Sequence, residues 1–195
     1  MVSQAFFYNA VMFTYGLVLL RYYHVAAESI GYWLLPLSIG NFLGPLFIGR
    51  LFDTVGRRQM IALTYSATGV LLAIASWLFL KGWLSLATQA ISWSIIFFIA
   101  SAAASSAYLT VSEVFPLEIR GLAIAVFYAC GTLIGGVGAP ALFGALTETG
   151  SRLMLFWGYM AGAALMVGAA AMEWKLGVAA ERKPLESVTA PLSSR

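Results

Sequence analysis

Six long apolar runs, at about residues 3–20, 31–51, 60–80, 83–108, 121–146 and 153–174, alternate along the chain with short polar breaks. A helix needs about 20 mostly apolar residues to cross the hydrocarbon core of a bilayer, and each run is of that order. None carries an Asp, Glu, Lys or Arg in its central turns. The pattern predicts an all-α membrane protein whose residues 1–174 form one bundle of six transmembrane helices. After the last run, residues 175–195 are rich in Ser, Pro and charge, and predict a disordered tail without the apolar surface to fold.

Composition narrows the class. Hydrophobic residues make up 61% of the chain, charged residues 10%, and mean hydropathy is +0.88, whereas soluble domains carry about 25% charged residues. The pI near 9.1 does not point to nucleic acid, because the basic residues sit at the ends of apolar runs rather than along a stripe with interleaved aromatics. Counting Lys and Arg on alternate sides sets the orientation. Arg50, Arg57, Arg58, Arg120, Lys175, Arg182, Lys183 and Arg195 fall on one side, and Arg21, Lys81 and Arg152 on the other. By the positive-inside rule both termini are cytoplasmic, in a multi-pass protein of the plasma or inner membrane. The start of the chain lacks the basic region, short apolar core and small-residue cleavage site of a signal peptide, so the first run reads as a span. A lone Cys130 implies neither a disulfide nor a metal site. Without a nucleophile–base pair, a nucleotide-binding loop or a metal cluster, no enzyme activity and no cofactor are expected.

Polar residues inside the runs mark candidate sites. In the first run Gln4, Tyr8 and Tyr15 recur on one helical face with Asn9 beside them. The second run has Asn41, with Pro36 and Pro45 to loosen the helix and Gly40 and Gly44 to admit a close neighbour. The fourth has Gln89 and Trp93 one turn apart, then a small-residue stretch at 100–107. Gln4, Tyr8, Asn9, Asn41, Gln89 and Trp93 are therefore cavity candidates for a polar solute. Hydrogen bonds between helices explain the amides equally well, and Trp93 equally suits a packed interior. The third run is bland and reads as scaffold or lipid-facing. The fifth is dense in glycine, with Gly131 and Gly135 spaced to seat another helix. Gly158 and Gly162 read as packing residues, and His24, the single histidine, as a solvated loop residue.

Residues 49–58, GRLFDTVGRR, form the charge-dense break between the second and third runs. They read as a tight turn in which Gly49 and Gly56 supply backbone freedom and Asp53 caps the next helix. The break after the fourth run carries E-x-F-P-x-x-x-R as Glu113, Phe115, Pro116 and Arg120, with Pro116 ending the helix. Together, in this order, the two motifs resemble the signature loops of the major facilitator superfamily, in particular its sugar-porter and metabolite-symporter branches. The Gln4-to-Asn9 spacing is likewise similar to that of solute-contacting residues in the seventh helix of sugar porters.

The resemblance implies that the six spans are the C-terminal half of a twelve-helix bundle working by alternating access. It implies a small polar solute such as a sugar or organic acid, symport, and a missing N-terminal six-helix half as partner beside the lipid bilayer. On this reading the chain is a fragment, and any titrating group for proton coupling lies in the other half. The resemblance further implies a cytoplasmic latch of Gly49, Asp53, Gly56, Arg57, Arg58, Glu113, Pro116 and Arg120. Two other readings remain open: a self-sufficient half that works as a dimer, with a second copy as partner, and a membrane scaffold that does not transport.

Overall fold

The computed structural model describes residues 1–177, with side chains throughout except at 105–114 and 117. Of the tail expected at 175–195, residues 175 and 176 instead continue the last helix, while 178–195 and the side chain of Glu113 lie outside the described residues. Every regular element within them is helical: α1 (Val2–Met12), α2 (Tyr15–Tyr23), α3 (Ile30–Thr54), α4 (Arg57–Leu80), α5 (Leu86–Val114), α6 (Leu117–Gly131), α7 (Ala139–Glu148) and α8 (Arg152–Leu176). A short 3₁₀ turn precedes α3, and a π-helical segment, Thr132–Gly138, joins α6 to α7. Five helical stretches are long and apolar enough to cross a membrane. The count is six when α1 and α2, bent by 42°, are taken as one span.

That bend interrupts what the apolar pattern reads as one continuous helix. The Thr14 hydroxyl donates to the Ala10 carbonyl, and the Thr14 N–H turns to Val11 O at 3.2 Å instead of continuing the helical ladder. Asn9 Nδ2 also donates to its own helix, to Ala5 O at 2.7 Å. Side chains that bond the preceding turn compete with the backbone ladder and bend helices.

In α6–α7 the disturbance has a different origin. Pro140 lacks an N–H, and its ring crowds the carbonyl four residues back. Widening the preceding turn into the π segment accommodates it without ending the span. By contrast, α3 runs unbroken through Pro36 and Pro45.

Packing is closest where side chains are smallest. On α3, a Cβ at Gly40 would collide with the Ser94 carbonyl of α5, and one at Gly44 with the Phe98 carbonyl and Ser101 Oγ. The seam is therefore built from backbone contact, which only glycine permits. α4 lies between α5 and α8, so the bland third run is scaffold rather than periphery. Gly69 of α4 faces the Ala163 carbonyl of α8 at 2.9 Å from where its Cβ would stand. On the other flank, α1 crosses the π segment at Gly135, whose Cβ would overlap the Ala5–Phe6 backbone.

Aromatic rings fill the centre. Trp93 packs on Tyr159 and Tyr15, with centroids at 5.3 and 6.2 Å, and Tyr159 on Phe143 at 5.2 Å. Only 17% of the apolar stretch of α3, and likewise of α6–α7, is buried, against 44% in α4 and 50% in α5. Those two stretches therefore present the most open apolar faces.

Candidate functional site

The polar face of α1 opens onto a cavity of about 250 Å³ between α1, α5, α6 and the π segment. Gln4, Tyr8 and Asn9 line it from α1, and Tyr128 and Thr132 from the opposite side. Among the described residues no acidic or basic side chain lines its wall. Gln4 is 6% exposed. Its Nε2 donates to Ala100 O of α5 at 2.9 Å, which fixes the amide, while Oε1 finds no partner among the described residues. A buried amide oxygen left without a donor is costly, and it belongs to a residue that lines the cavity.

One turn on, the Tyr8 hydroxyl donates to Asn41 Oδ1 of α3 at 2.6 Å. This bond fixes the phenol from behind, and the Ser101 side chain stands at hydrogen-bond reach of the same oxygen. The Tyr8 ring rests on Phe97 of α5 at 5.0 Å. Asn9 keeps its Nδ2 on Ala5 O, so its carbonyl oxygen is the group available to the cavity. The described side chains of the wall thus offer neutral hydrogen-bonding groups against an aromatic surface. That chemistry suits an uncharged or weakly polar solute face better than a carboxylate, which calls for a charged partner when desolvated.

The remaining two candidates sit apart from this cavity. Gln89 of α5 accepts from the Tyr23 hydroxyl of α2 at 3.0 Å. Trp93 is 1% exposed and lies within the aromatic centre. Near them, Arg152 at the start of α8 donates to Phe79 O at 2.8 Å and stands over the Phe79 ring at 4.9 Å. It ties that end of the bundle together. His24 is exposed and left-handed, at φ 53°, where it closes α2.

The charged motif differs in detail from a ten-residue turn. Residues 49–54 continue α3, and the break is confined to Val55 and Gly56. Gly56 adopts φ 119°, a conformation that favours glycine. Gly49 is helical, with open space where a Cβ would stand, so it takes no part in the turn. Nor does Asp53 cap α4, whose first residue follows Gly56 without a side-chain cap bond. Instead its carboxylate pairs with Arg57 Nη2 at 3.4 Å. Arg58 reaches across to α8 and donates to the Trp174 carbonyl.

In the second motif α5 ends at Val114, Phe115 is extended, and Pro116 precedes α6. Arg120 Nη2 donates back to Phe115 O at 3.5 Å, which stiffens its own loop. Among the described residues no three His, Cys, Asp or Glu are grouped as a metal site requires.

Sequence reading missed Tyr128 and Thr132. Their signal was the pair of polar groups four residues apart in an otherwise apolar run, overshadowed by the glycines around them. Compared with known families, residues 1–194 match the model of the Major Facilitator Superfamily. No curated protein and no solved structure matches the chain.

Proposed function

Because the chain belongs to the major facilitator superfamily, and membership implies transport of small solutes across a membrane, we propose that it carries a small polar solute by alternating access. The observation that supports this reading most is the cavity beside α1, where Gln4 Oε1 is buried without a donor and Tyr8 is held by Asn41. Gln4, Tyr8 and Asn9 are the proposed solute contacts from α1. Asn41 orients Tyr8, while Gln89 and Trp93 belong to the packed far part of the same wall.

The chain supplies one six-helix wall of a twelve-helix transporter, with the complementary bundle closing the site and rocking against it. The open faces of α3 and α6–α7 are consistent with that arrangement. The solute is a sugar or related hydroxyl-bearing metabolite, as in the sugar-porter and metabolite-symporter branches. If transport is proton-coupled, the titrating carboxyl comes from the complementary bundle, because no acid lines this wall among the described residues. Asp53, Arg57, Arg58, Glu113 and Arg120 form a cytoplasmic latch that favours the outward-facing state, in a plasma-membrane protein with both termini inside.

Uptake into proteoliposomes tests the reading, with this chain assembled with its complementary bundle and offered a panel of sugars and organic acids. Gln4→Ala should raise KM for the transported solute about tenfold, the order expected for a lost hydrogen bond in a dry site. Unchanged KM in both Gln4→Ala and Tyr8→Phe would remove the cavity from transport. Saturable uptake by this chain alone would replace the twelve-helix arrangement with a dimer of halves.

A further inference from the structure

A second cavity, of about 580 Å³, lies on the outside of the bundle in the seam between α4 and α8. Its volume falls within the roughly 300–1,000 Å³ range of ligand sites. Ala62, Ser66 and Ala67 of α4 meet Ala170 and Ala171 of α8 in its lining. Larger side chains would fill this trough. Trp174 and Lys175 line the same cavity where α8 ends. Arg58 is fixed beside them, through its bond to the Trp174 carbonyl.

We infer that this groove binds one anionic phospholipid of the bilayer, with an acyl chain along the alanine floor and the phosphate at Lys175. Three features support that occupant over a peptide or a polar solute. First, the groove is apolar along its length and cationic at one end only, which complements an amphiphile with a negative head. The nearest carboxylate in sequence, Glu173, is not part of its lining.

Second, the length fits a single leaflet. From Val167 to Lys175 the rise along α8 is about 12 Å, close to half of the roughly 30 Å hydrocarbon core. Third, the mouth lies at interfacial depth. Trp174, 57% exposed, is of the type that settles at the headgroup level, and Lys175 can extend its ammonium toward the phosphates. Arg58 adds no free charge there, because its guanidinium is engaged with the Trp174 carbonyl and interacts with the Glu173 carboxylate, which leaves Lys175 as the cation of the mouth. Family membership places the chain in a bilayer, so the ligand is always at hand. The inference does not depend on which solute is carried, or on whether the chain transports alone.

The test uses the full chain in nanodiscs and fluorescence quenching by phospholipids brominated on the acyl chain. The Trp174 contribution is the difference between the protein and its Trp174→Phe variant. Brominated phosphatidylglycerol should quench Trp174 at a mole fraction about fivefold lower than brominated phosphatidylcholine, the preference one lysine near the surface provides. Lys175→Gln should abolish that preference while leaving residual quenching, because the apolar floor remains. Ala67→Leu should abolish the preference and leave only the equal quenching by surrounding lipid that the exposed Trp174 ring meets. Equal quenching by the two lipids in the unaltered chain would overturn the inference, as would a preference that survives Lys175→Gln. Trp174 fluorescence insensitive to either lipid would also overturn it, and would mean that protein covers the groove.

Discussion

Tyr8 and Asn41 join α1 to α3 through a 2.6 Å hydrogen bond, with the phenol donating and the amide oxygen accepting. Each residue lies in a mostly apolar helix, so neither has water as an easy substitute. Tyr8→Phe should lower the thermal stability of the purified protein by about 0.6 kcal/mol, and by no more than ~1.7, the range found for hydrogen bonds between membrane helices. Asn41→Leu should cost a similar amount, and the double variant little more than either single one. Fully additive losses in that cycle would mean that the two side chains act separately.

Gly44 and Gly49 lie on the same helix and should respond in opposite ways. A Cβ at Gly44 meets the Phe98 carbonyl and Ser101 Oγ of α5, while one at Gly49 meets nothing within 4 Å. Gly44→Ala should therefore destabilise by about 1–3 kcal/mol through overpacking against backbone. Gly49→Ala should be neutral or stabilise by up to about 1 kcal/mol through helix propensity. Thermal melts in detergent decide the matter, and a harmful Gly49→Ala would assign that glycine to a contact with another chain or with the complementary bundle.

Asp53 and Arg57 form an ion pair at 3.4 Å, but the two ends are unequal: the Arg57 side chain is 14% exposed and that of Asp53 68%. An exposed carboxylate in such a pair contributes about 0–1 kcal/mol. Asp53→Asn should thus fold and insert normally. Arg57→Ala removes a largely buried side chain with its methylene packing, and should cost more stability than Asp53→Asn. If the pair also serves as a latch, both variants should increase cysteine reactivity along the end of α3 near Thr54 in the intact transporter. Equal stability losses with unchanged reactivity would reduce the pair to local helix support.

Much of the helical layout was legible because a bilayer demands long uncharged runs, and the chain has few other places for its charges. What escaped the reading depends on single side chains acting on the backbone or on partners remote in sequence. Thr14 and Asn9 bond the turn behind them and bend the first span, which hydropathy does not register. Pro140 lies inside one apolar run, and nothing in that run shows that the helix widens into a π turn before it. Gly49 reads as a turn residue by its place in a charged motif, whereas α3 simply continues through it. For the cavity, the α1 residues were visible as polar positions on one face. Tyr128 and Thr132 join them only because α1 crosses the π segment, a tertiary relation with no periodic signature.

Membrane orientation is open to direct measurement by labelling engineered cysteines with an impermeant reagent, in a Cys130→Ser background because Cys130 is itself exposed. Glu148, at the end of α7, and Gln59, in the first turn of α4, are both exposed. A cysteine at Glu148 should be labelled on intact cells, and one at Gln59 only after permeabilisation. The charge asymmetry motivates this assignment. Labelling of Gln59 from outside would invert the topology and move the charged motif to the outer face.

Gly135 offers the sharpest test of how α1 and the π segment are joined. Its Cβ would overlap the Phe6 amide nitrogen and the Ala5 carbonyl carbon, which are backbone atoms that cannot rotate aside. Gly131, one turn earlier, would place its Cβ 3.6 Å from Met1, an ordinary contact, and Gly138 would meet nothing within 4 Å. Gly135→Ala must therefore push α1 away from the segment. Because Gln4, Tyr8 and Asn9 move with α1, while Tyr128 and Thr132 stay with the other wall, the cavity should widen. A shift that takes even one hydrogen-bonding group out of reach costs about tenfold in affinity. Gly135→Ala should thus reduce solute affinity by that order and lower stability by about 1–3 kcal/mol. Gly131→Ala and Gly138→Ala should retain both within a small margin, since neither meets backbone. Equilibrium solute binding and thermal melts on the three variants separate the outcomes. If all three behave alike, the close crossing at Gly135 is not what sets the width of the cavity.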